Sequence, residues 1–233
     1  MKAIILAAGQ GKRIKKFHKT PKAFIQIPKI KKTLIERNIE LLKKYGVKKI
    51  IIVTGYKKKY FQKLKSNNVI LKDVKNFRKF NNYFSLLSIK KLIIGNIIIL
   101  FSDILISEKI IQRLSKINKK ICLVIDKNKK LRDTMRVLLE KQNILDIGSH
   151  IDVKRADGNF IGIAKFNYSG SKFLRQNLKK NVQNFREYYV KALNLPKKKK
   201  MVNYLDVRKK FWMEIDDKKD LNKLKKINTK NFL

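Results

Sequence analysis

The chain has 233 residues, 44% of them hydrophobic, which suffices for one well-buried domain or a domain with a small appendage. Its 59 basic residues against 17 acidic give a formal charge of +42, yet only ten of the basic residues are arginine and the lysines are spread over every predicted helix. This pattern describes a solvated, Lys-rich surface that attracts polyanions in a salt-dependent way; it lacks the arginine readers and interleaved aromatics of a specific nucleic-acid surface. A single cysteine, Cys122, inside an apolar run, excludes an internal disulfide and a cysteine-rich metal site, and His18 and His150 are isolated, so the sequence does not support a His-based zinc site.

Ala3 to Ala8 is a short apolar run without alternation, which predicts a buried strand. It is too short for the core of a signal peptide. Gly9-Gln10-Gly11-Lys12-Arg13 follows at once. Glycines let the backbone turn tightly, and successive free N–H groups in such a turn form an anion-binding concavity. Arg13 and, after Pro21, Lys22 add fixed positive charge. The order of strand, glycine turn and cations describes a seat for a phosphate chain. It is not the dinucleotide-binding loop, which needs glycine where Ile14 stands, and it has no Gly-Lys-Ser/Thr of a P-loop.

Phe24 to Ile27 reads as a short extended piece ended by Pro28. A helix is predicted from Thr33, with Glu36 completing a capping box and Gly46 at its end. Lys48–Thr54 reads as a second strand, Lys58–Lys65 as a helix and Val69–Leu71 as a third strand. Val/Ile-rich strands alternating with helices predict a mostly parallel sheet covered on both faces, with ligands outside the carboxyl ends of the strands. Asn81 or Asn82 can cap the next helix.

Ile97–Phe101 reads as a fourth strand running into Ser102-Asp103. Asp103 therefore falls at the sheet's carboxyl edge, on the side of the glycine turn, and is the best-placed carboxylate for a magnesium ion shared with phosphate oxygens. Ser107–Ile117 is predicted helical and Lys120–Ile125 a fifth strand, with Asp126 at its end as a supporting residue or a turn former with Asn128. From Asp133 the texture changes to antiparallel pieces, Met135–Glu140 and Asn143–Ile147, then a turn and a strand through Phe166. Gly162 within that strand suggests a close approach by a ligand or another backbone. Helices are expected over Ser169–Leu178 and Val182–Leu193, and a basic loop at Pro196 and Lys197–Lys200. The chain ends on Tyr204–Val207, Phe211–Asp217 and a helix from Lys218 capped by Asp217, which leaves Asp216 to face the site. The longest apolar stretch, Leu92–Phe101, contains Gly95 and Asn96 and cannot cross a bilayer, so the chain reads as cytoplasmic.

Leu6-Ala7-Ala8-Gly9-x-Gly11-x-Arg13, Pro21-Lys22, Asn81-Asn82-x-x-Ser85-Leu86, Ser102-Asp103, Ala156-Asp157-Gly158-x-Phe160-Ile161-Gly162 and Trp212-x-Glu214-Ile215-Asp216 occur in that order across nearly the whole chain. In this combination the sequence resembles the small cytidylyltransferases that act on phosphocholine and on phosphonates such as 2-aminoethylphosphonate, within the sugar-nucleotidyltransferase superfamily. The resemblance implies one Rossmann-like α/β nucleotidyltransferase domain over residues 1–233, with a small antiparallel insertion on the acceptor side at roughly 133–210. It implies CTP and Mg²⁺, and in-line attack by an acceptor phosphate or phosphonate oxygen on the α-phosphorus with pyrophosphate leaving. By the same resemblance Asp103 and Asp216 hold the metal, Arg13 and Lys22 neutralise the triphosphate, and Gly9 and Gly11 supply backbone donors. Leu6, Ala8, Asn82 and Ser85 line the base.

Two positions depart from the pattern: Asn159 stands where Glu is common, and His150 near where Lys is common. For the acceptor, Trp212, Tyr188 and Tyr189 are candidates for an aromatic cage around a quaternary ammonium, and Asp133 or Asp157 for contact with an amine. Acceptor identity and the choice between monomer and homodimer stay open. Two other readings remain: a hexose-1-phosphate nucleotidyltransferase, disfavoured by the short chain and the Trp-x-Glu-Ile-Asp ending, and a nucleic-acid-binding protein on an inactive scaffold, against which the intact Asp103, Asp216, Arg13 and Lys22 argue. No specific nucleic acid and no membrane insertion are expected.

Overall fold

Thirteen strands and five α-helices follow one another in the computed structural model, which describes residues 1–28, 30–128, 134–180, 186–193 and 201–232. In chain order they are β1 (Lys2–Ala7), β2 (Gln26–Ile27), β3 (Lys32–Thr33), α1 (Leu34–Lys44), β4 (Lys49–Thr54), β5 (Val69–Asp73), α2 (Asn82–Ser88), β6 (Ile97–Phe101), β7 (Ile104–Ile106), α3 (Glu108–Lys116), β8 (Ile121–Asp126), β9 (Arg136–Glu140), β10 (Asn143–Gly148), β11 (Gly158–Phe166), α4 (Tyr168–Lys180), β12 (Val202–Asp206), β13 (Trp212–Glu214) and α5 (Lys218–Lys225). The α/β class expected from the sequence is the class observed. The chain divides into two units. One comprises residues 1–79, 100–115 and 210–233, the other 80–99 and 116–209.

In the first unit β1 lies parallel to β4, with Ile4 opposite Ile51 and Leu6 opposite Val53, and β4 lies parallel to β5. Ile4, Ile5, Ile50, Ile52 and Val53 are fully buried, as unalternating strands covered on both faces must be. Helix α1 begins at the predicted cap: Thr33 Oγ1 accepts from the Glu36 amide at 3.3 Å, and the Glu36 carboxylate accepts from the Thr33 amide at 2.9 Å. Asn38 Nδ2 of α1 donates to the Ile104 carbonyl at 3.1 Å, which ties the helix to the start of β7. Strands β7 and β13 form a separate antiparallel pair. Beneath it Ile14, Ile25, Ile27, Leu34, Leu105, Ile215, Leu224, Ile227 and Phe232 pack into one core cluster.

The second unit is a mixed sheet. Strand β8 pairs antiparallel with β11 and parallel with β12, β12 pairs with β10, β10 with β9, and β9 again with β11, so five strands form a closed circuit. Gly162 sits at φ +82°, where the β8–β11 register shifts between Phe160 and Ala164. It is a bulge residue, and this geometry alone accounts for a glycine there. The predicted helix over Lys58–Lys65 is a run of 3₁₀ turns, Lys58–Leu64, with Phe61 its one buried residue. Of the predicted helix Val182–Leu193, the described part ends in a 3₁₀ turn at Tyr189–Leu193. Asp133, Pro196 and Lys197–Lys200 lie outside the described residues. Among those described, no helix is long and apolar enough to cross a membrane.

Candidate active site

Strand β1 ends at Ala7, and the Ala8 carbonyl accepts from the Tyr56 amide at 3.1 Å, so the glycine turn starts from a fixed backbone. A Cβ on Gly55 would stand 2.8 Å from that same carbonyl, which explains glycine at 55. Gly11 adopts φ +59°, and its carbonyl accepts from the amides of Ile14 and Lys15 at 3.1 and 3.0 Å. Ile14 then anchors the loop in the core cluster. The turn is therefore clamped at both ends while Arg13 stays more than half exposed. Lys22 opens a 3₁₀ turn, Lys22–Phe24, whose Ala23 and Phe24 are buried, and its stem lies along Gly11: a Cβ there would come within 2.9 Å of Lys22 Cγ and Cε.

The acidic side of the site is set by the pairing of β7 with β13, in which Ile104 stands opposite Glu214. One step further the Asp103 carbonyl accepts from the Ile215 amide at 3.0 Å. This ladder brings together carboxylates more than 100 positions apart in the chain: Asp103, Glu214 and Asp216 each offer an oxygen within 4.8 Å of the others. The Asp216 amide donates to Asp220 Oδ2 at 3.0 Å, and Asp217 caps α5 by accepting from the Asp220 amide at 3.0 Å. The start of α5 thus fixes the backbone that carries Asp216.

Two cations lie on these carboxylates. Arg13 Nη2 donates to Asp216 Oδ2 at 2.7 Å. Lys22 Nζ donates to Asp103 Oδ2 at 3.1 Å and also to Asp216 Oδ1. The Lys22, Asp103 and Asp216 side chains are only 15%, 18% and 20% exposed, so the network is partly desolvated and strong. Burial on its own would lower the Lys22 pKa; Asp103 and Asp216 outweigh it and raise the pKa above the ordinary lysine value. Glu214 is pushed up to about 8 by burial, then by the negative charge of Asp103 and Asp216, against the pull of Lys22 and Arg13.

The structure therefore joins four of the residues read from the sequence, Arg13, Lys22, Asp103 and Asp216, in one ionic cluster that Lys22 ties to Gly11. It adds Glu214, whose position depends on a strand register that no local pattern shows. The donor set fits a divalent cation that prefers oxygen: three carboxylates, no sulfur and no imidazole. Leu6 and Ala8 are buried at the strand end, and the Leu6 carbonyl accepts from the Ser102 amide at 3.2 Å.

The remaining candidates, Trp212 apart, lie in the second unit and have local contacts there. Asn82 Oδ1 accepts from the Tyr189 amide at 2.7 Å, Ser85 is buried in α2, and Asn81 caps that helix. Asp126 is buried and accepts from the Asn128 amide at 2.8 Å, as a turn former does. Asp157 Oδ2 accepts from the Leu139 amide at 2.7 Å, and His150 Nε2 pairs with Asp146 Oδ2 at 2.8 Å. Asn159 is fully buried in β11. Tyr189 is fully buried, edge-on to Phe160 at 6.3 Å, and Tyr188 is partly exposed. Trp212 is buried in β13 of the first unit, opposite Ile106. Burial pushes the Cys122 thiol up to about 12, which makes it inert at neutral pH.

Residues 3–75 match the MobA-like NTP transferase domain. The chain resembles the nucleotidyltransferases. It is 42% identical over 95 residues to the choline-phosphate cytidylyltransferase of Streptococcus pneumoniae, a stretch covering 39% of this chain and 40% of that protein. Over 190 residues it is 25% identical to the CTP:phosphoglutamine cytidylyltransferase of Campylobacter jejuni, covering 72% of this chain and 74% of that one. Its fold superposes on the CTP:phosphocholine cytidylyltransferase from Streptococcus pneumoniae with a TM-score of 0.78 and 25% identity, over 97% of both chains. The resemblance read from the sequence, to small CTP-dependent nucleotidyltransferases, agrees with these findings.

Proposed function

We propose that this protein is a nucleotidyltransferase that moves CMP from CTP to a small phosphorylated or phosphonate acceptor, of the phosphocholine or 2-aminoethylphosphonate class, and releases pyrophosphate. The observation that carries this reading is the cluster itself: a clamped glycine turn, two cations and three carboxylates, with no cysteine, serine or histidine nucleophile among them. Such a set suits direct phosphoryl chemistry, in which positioning and charge neutralisation supply the acceleration.

In this reading the amides of the Gly9–Arg13 turn and the side chains of Arg13 and Lys22 take the charge of the triphosphate and of the departing pyrophosphate. Leu6 and Ala8 form the floor at the strand end. Asp103 and Asp216, with Glu214 beside them, would hold Mg²⁺, which when bound lowers the negative charge on the phosphates and on the acceptor oxygen. Pro21 and the buried Ala23 and Phe24 hold the Lys22 backbone still while its side chain works. Asn82 and Ser85 are assigned to the base by resemblance. The diffuse +42 charge gathers polyanionic substrates and requires no specific nucleic-acid partner.

The test is pyrophosphate release with Mg²⁺, with CTP, UTP, ATP and GTP each offered against phosphocholine, 2-aminoethylphosphonate, glycerol phosphate and glucose 1-phosphate. Turnover with CTP and one of the first three acceptors, lost at least 100-fold in Asp103→Asn, is the expected result. Turnover restricted to glucose 1-phosphate would replace the proposal with a hexose-1-phosphate nucleotidyltransferase. Absence of nucleotide binding altogether would refute the enzyme reading.

A further inference from the structure

We infer that Lys22 and a divalent cation compete for the same carboxylate seat, so that this lysine is a built-in counter-ion which the metal must displace. The inference rests on the reading above, in which the carboxylate cluster takes a divalent cation.

Both oxygens of Asp216 are already engaged, Oδ2 by Arg13 and Oδ1 by Lys22, and Lys22 holds Asp103 Oδ2 as well. The two aspartates are the ones that, with Glu214, offer ligand oxygens within 4.8 Å of one another. An ammonium bridging both aspartates and a divalent cation drawn to the same pair oppose each other: they draw on the same oxygens, and at that separation in a partly desolvated site their repulsion is large. Arg13 is not the group that must yield, because it touches one oxygen of one aspartate and is 57% exposed.

Lys22 also has somewhere to go. Its backbone is pinned by the buried 3₁₀ turn, but its stem runs against Gly11 of the glycine turn. A phosphate seated on that turn offers the ammonium new oxygens without any movement of the backbone. Metal and polyanion then help each other bind: each removes the partner that holds Lys22 in the other's way.

The probe is Mn²⁺ alone, titrated without nucleotide and followed by the loss of the free-ion paramagnetic resonance signal. Lys22→Met is expected to bind Mn²⁺ at least tenfold more tightly than the wild type, and Arg13→Met less than threefold more tightly. Lys22→Arg, which keeps a cation on the same carboxylates, is expected to stay within threefold of the wild type. Lys22→Gln repeats the test should Lys22→Met fail to unfold cooperatively. Equal gains in Lys22→Met and Arg13→Met would mean that only through-space charge is at work and would overturn the competition, as would no gain in Lys22→Met. Mn²⁺ binding by Lys22→Met that ignores a second change, Asp103→Asn, would overturn the metal reading itself.

Discussion

Replacing Glu214 by glutamine isolates the electrostatic cost of the carboxylate cluster. Glu214 titrates near 8 in the folded chain, against an ordinary 4.5, because burial and the neighbouring Asp103 and Asp216 disfavour its charge. Between pH 4.5 and 8 the folded chain holds a proton that the unfolded chain has released. The stability from the protonated carboxyl is therefore complete below 4.5 and disappears as pH rises through 8. At about 1.4 kcal/mol per tenfold change in proton affinity, the ceiling for this one group is about 5 kcal/mol. Water that reaches the neighbouring carboxylates reduces it, and roughly 2–3 kcal/mol is expected.

Glutamine has the shape and neutrality of the protonated acid and no proton to lose. Urea unfolding in EDTA at steps from pH 5 to 9 should therefore show Glu214→Gln gaining on the wild type by that amount, with most of the gain accumulated by pH 8. EDTA is necessary because a bound cation would favour the charged carboxylate and hide the effect. A stability difference that stays constant across this range would refute the reasoning, since it would mean that Glu214 ionises as an ordinary surface carboxyl does.

Two further substitutions probe the supports of the site. Gly11→Ala puts a side chain at φ +59° and a methyl group within 2.9 Å of the Lys22 stem, so it should cost about 1–2 kcal/mol of stability. It should also lower pyrophosphate release by a larger factor than this loss of stability explains, because Lys22 is pushed off its carboxylates; normal turnover in a folded Gly11→Ala protein would refute the assigned role of Lys22. Thr33→Ala removes the Oγ1 that accepts from the Glu36 amide and should cost about 1 kcal/mol in urea unfolding while leaving turnover per folded molecule unchanged. An unchanged unfolding midpoint would show that the cap is redundant.

What the sequence reveals of this molecule is what is decided locally. A cap such as Thr33 with Glu36, or Asp217 with Asp220, is a contact across three residues and can be read directly. Arg13 and Asp103 can be read because one follows a glycine turn and the other a buried strand, and Lys22 and Asp216 because they belong to the motifs that carry the resemblance. Glu214 cannot: its role comes from standing opposite Ile104, a register set by packing between segments far apart in the chain. Gly162 was informative only in part, since a glycine in a strand signals either close approach or a bulge, and the register shift beside it decides for the bulge. Lys58–Leu64 has helical composition but just one buried side chain, too little to hold a full α-helix. The division into two units leaves no trace in composition, because the same lysine-rich surface covers both.

The Asp103–Glu214–Asp216 cluster gathers three of the chain's 17 acidic residues into a few ångströms of a molecule that is otherwise overwhelmingly positive. The two scales of charge act at different distances and on different rates. Far from the surface, the summed field draws in any polyanion and falls away as salt is added. In the last few ångströms Arg13 and Lys22 already balance Asp103 and Asp216, so a polyanion gains there only as those cations turn to it. Ionic strength should therefore act mainly on how often ligands arrive, while the exchange of partners within the cluster determines how long they stay.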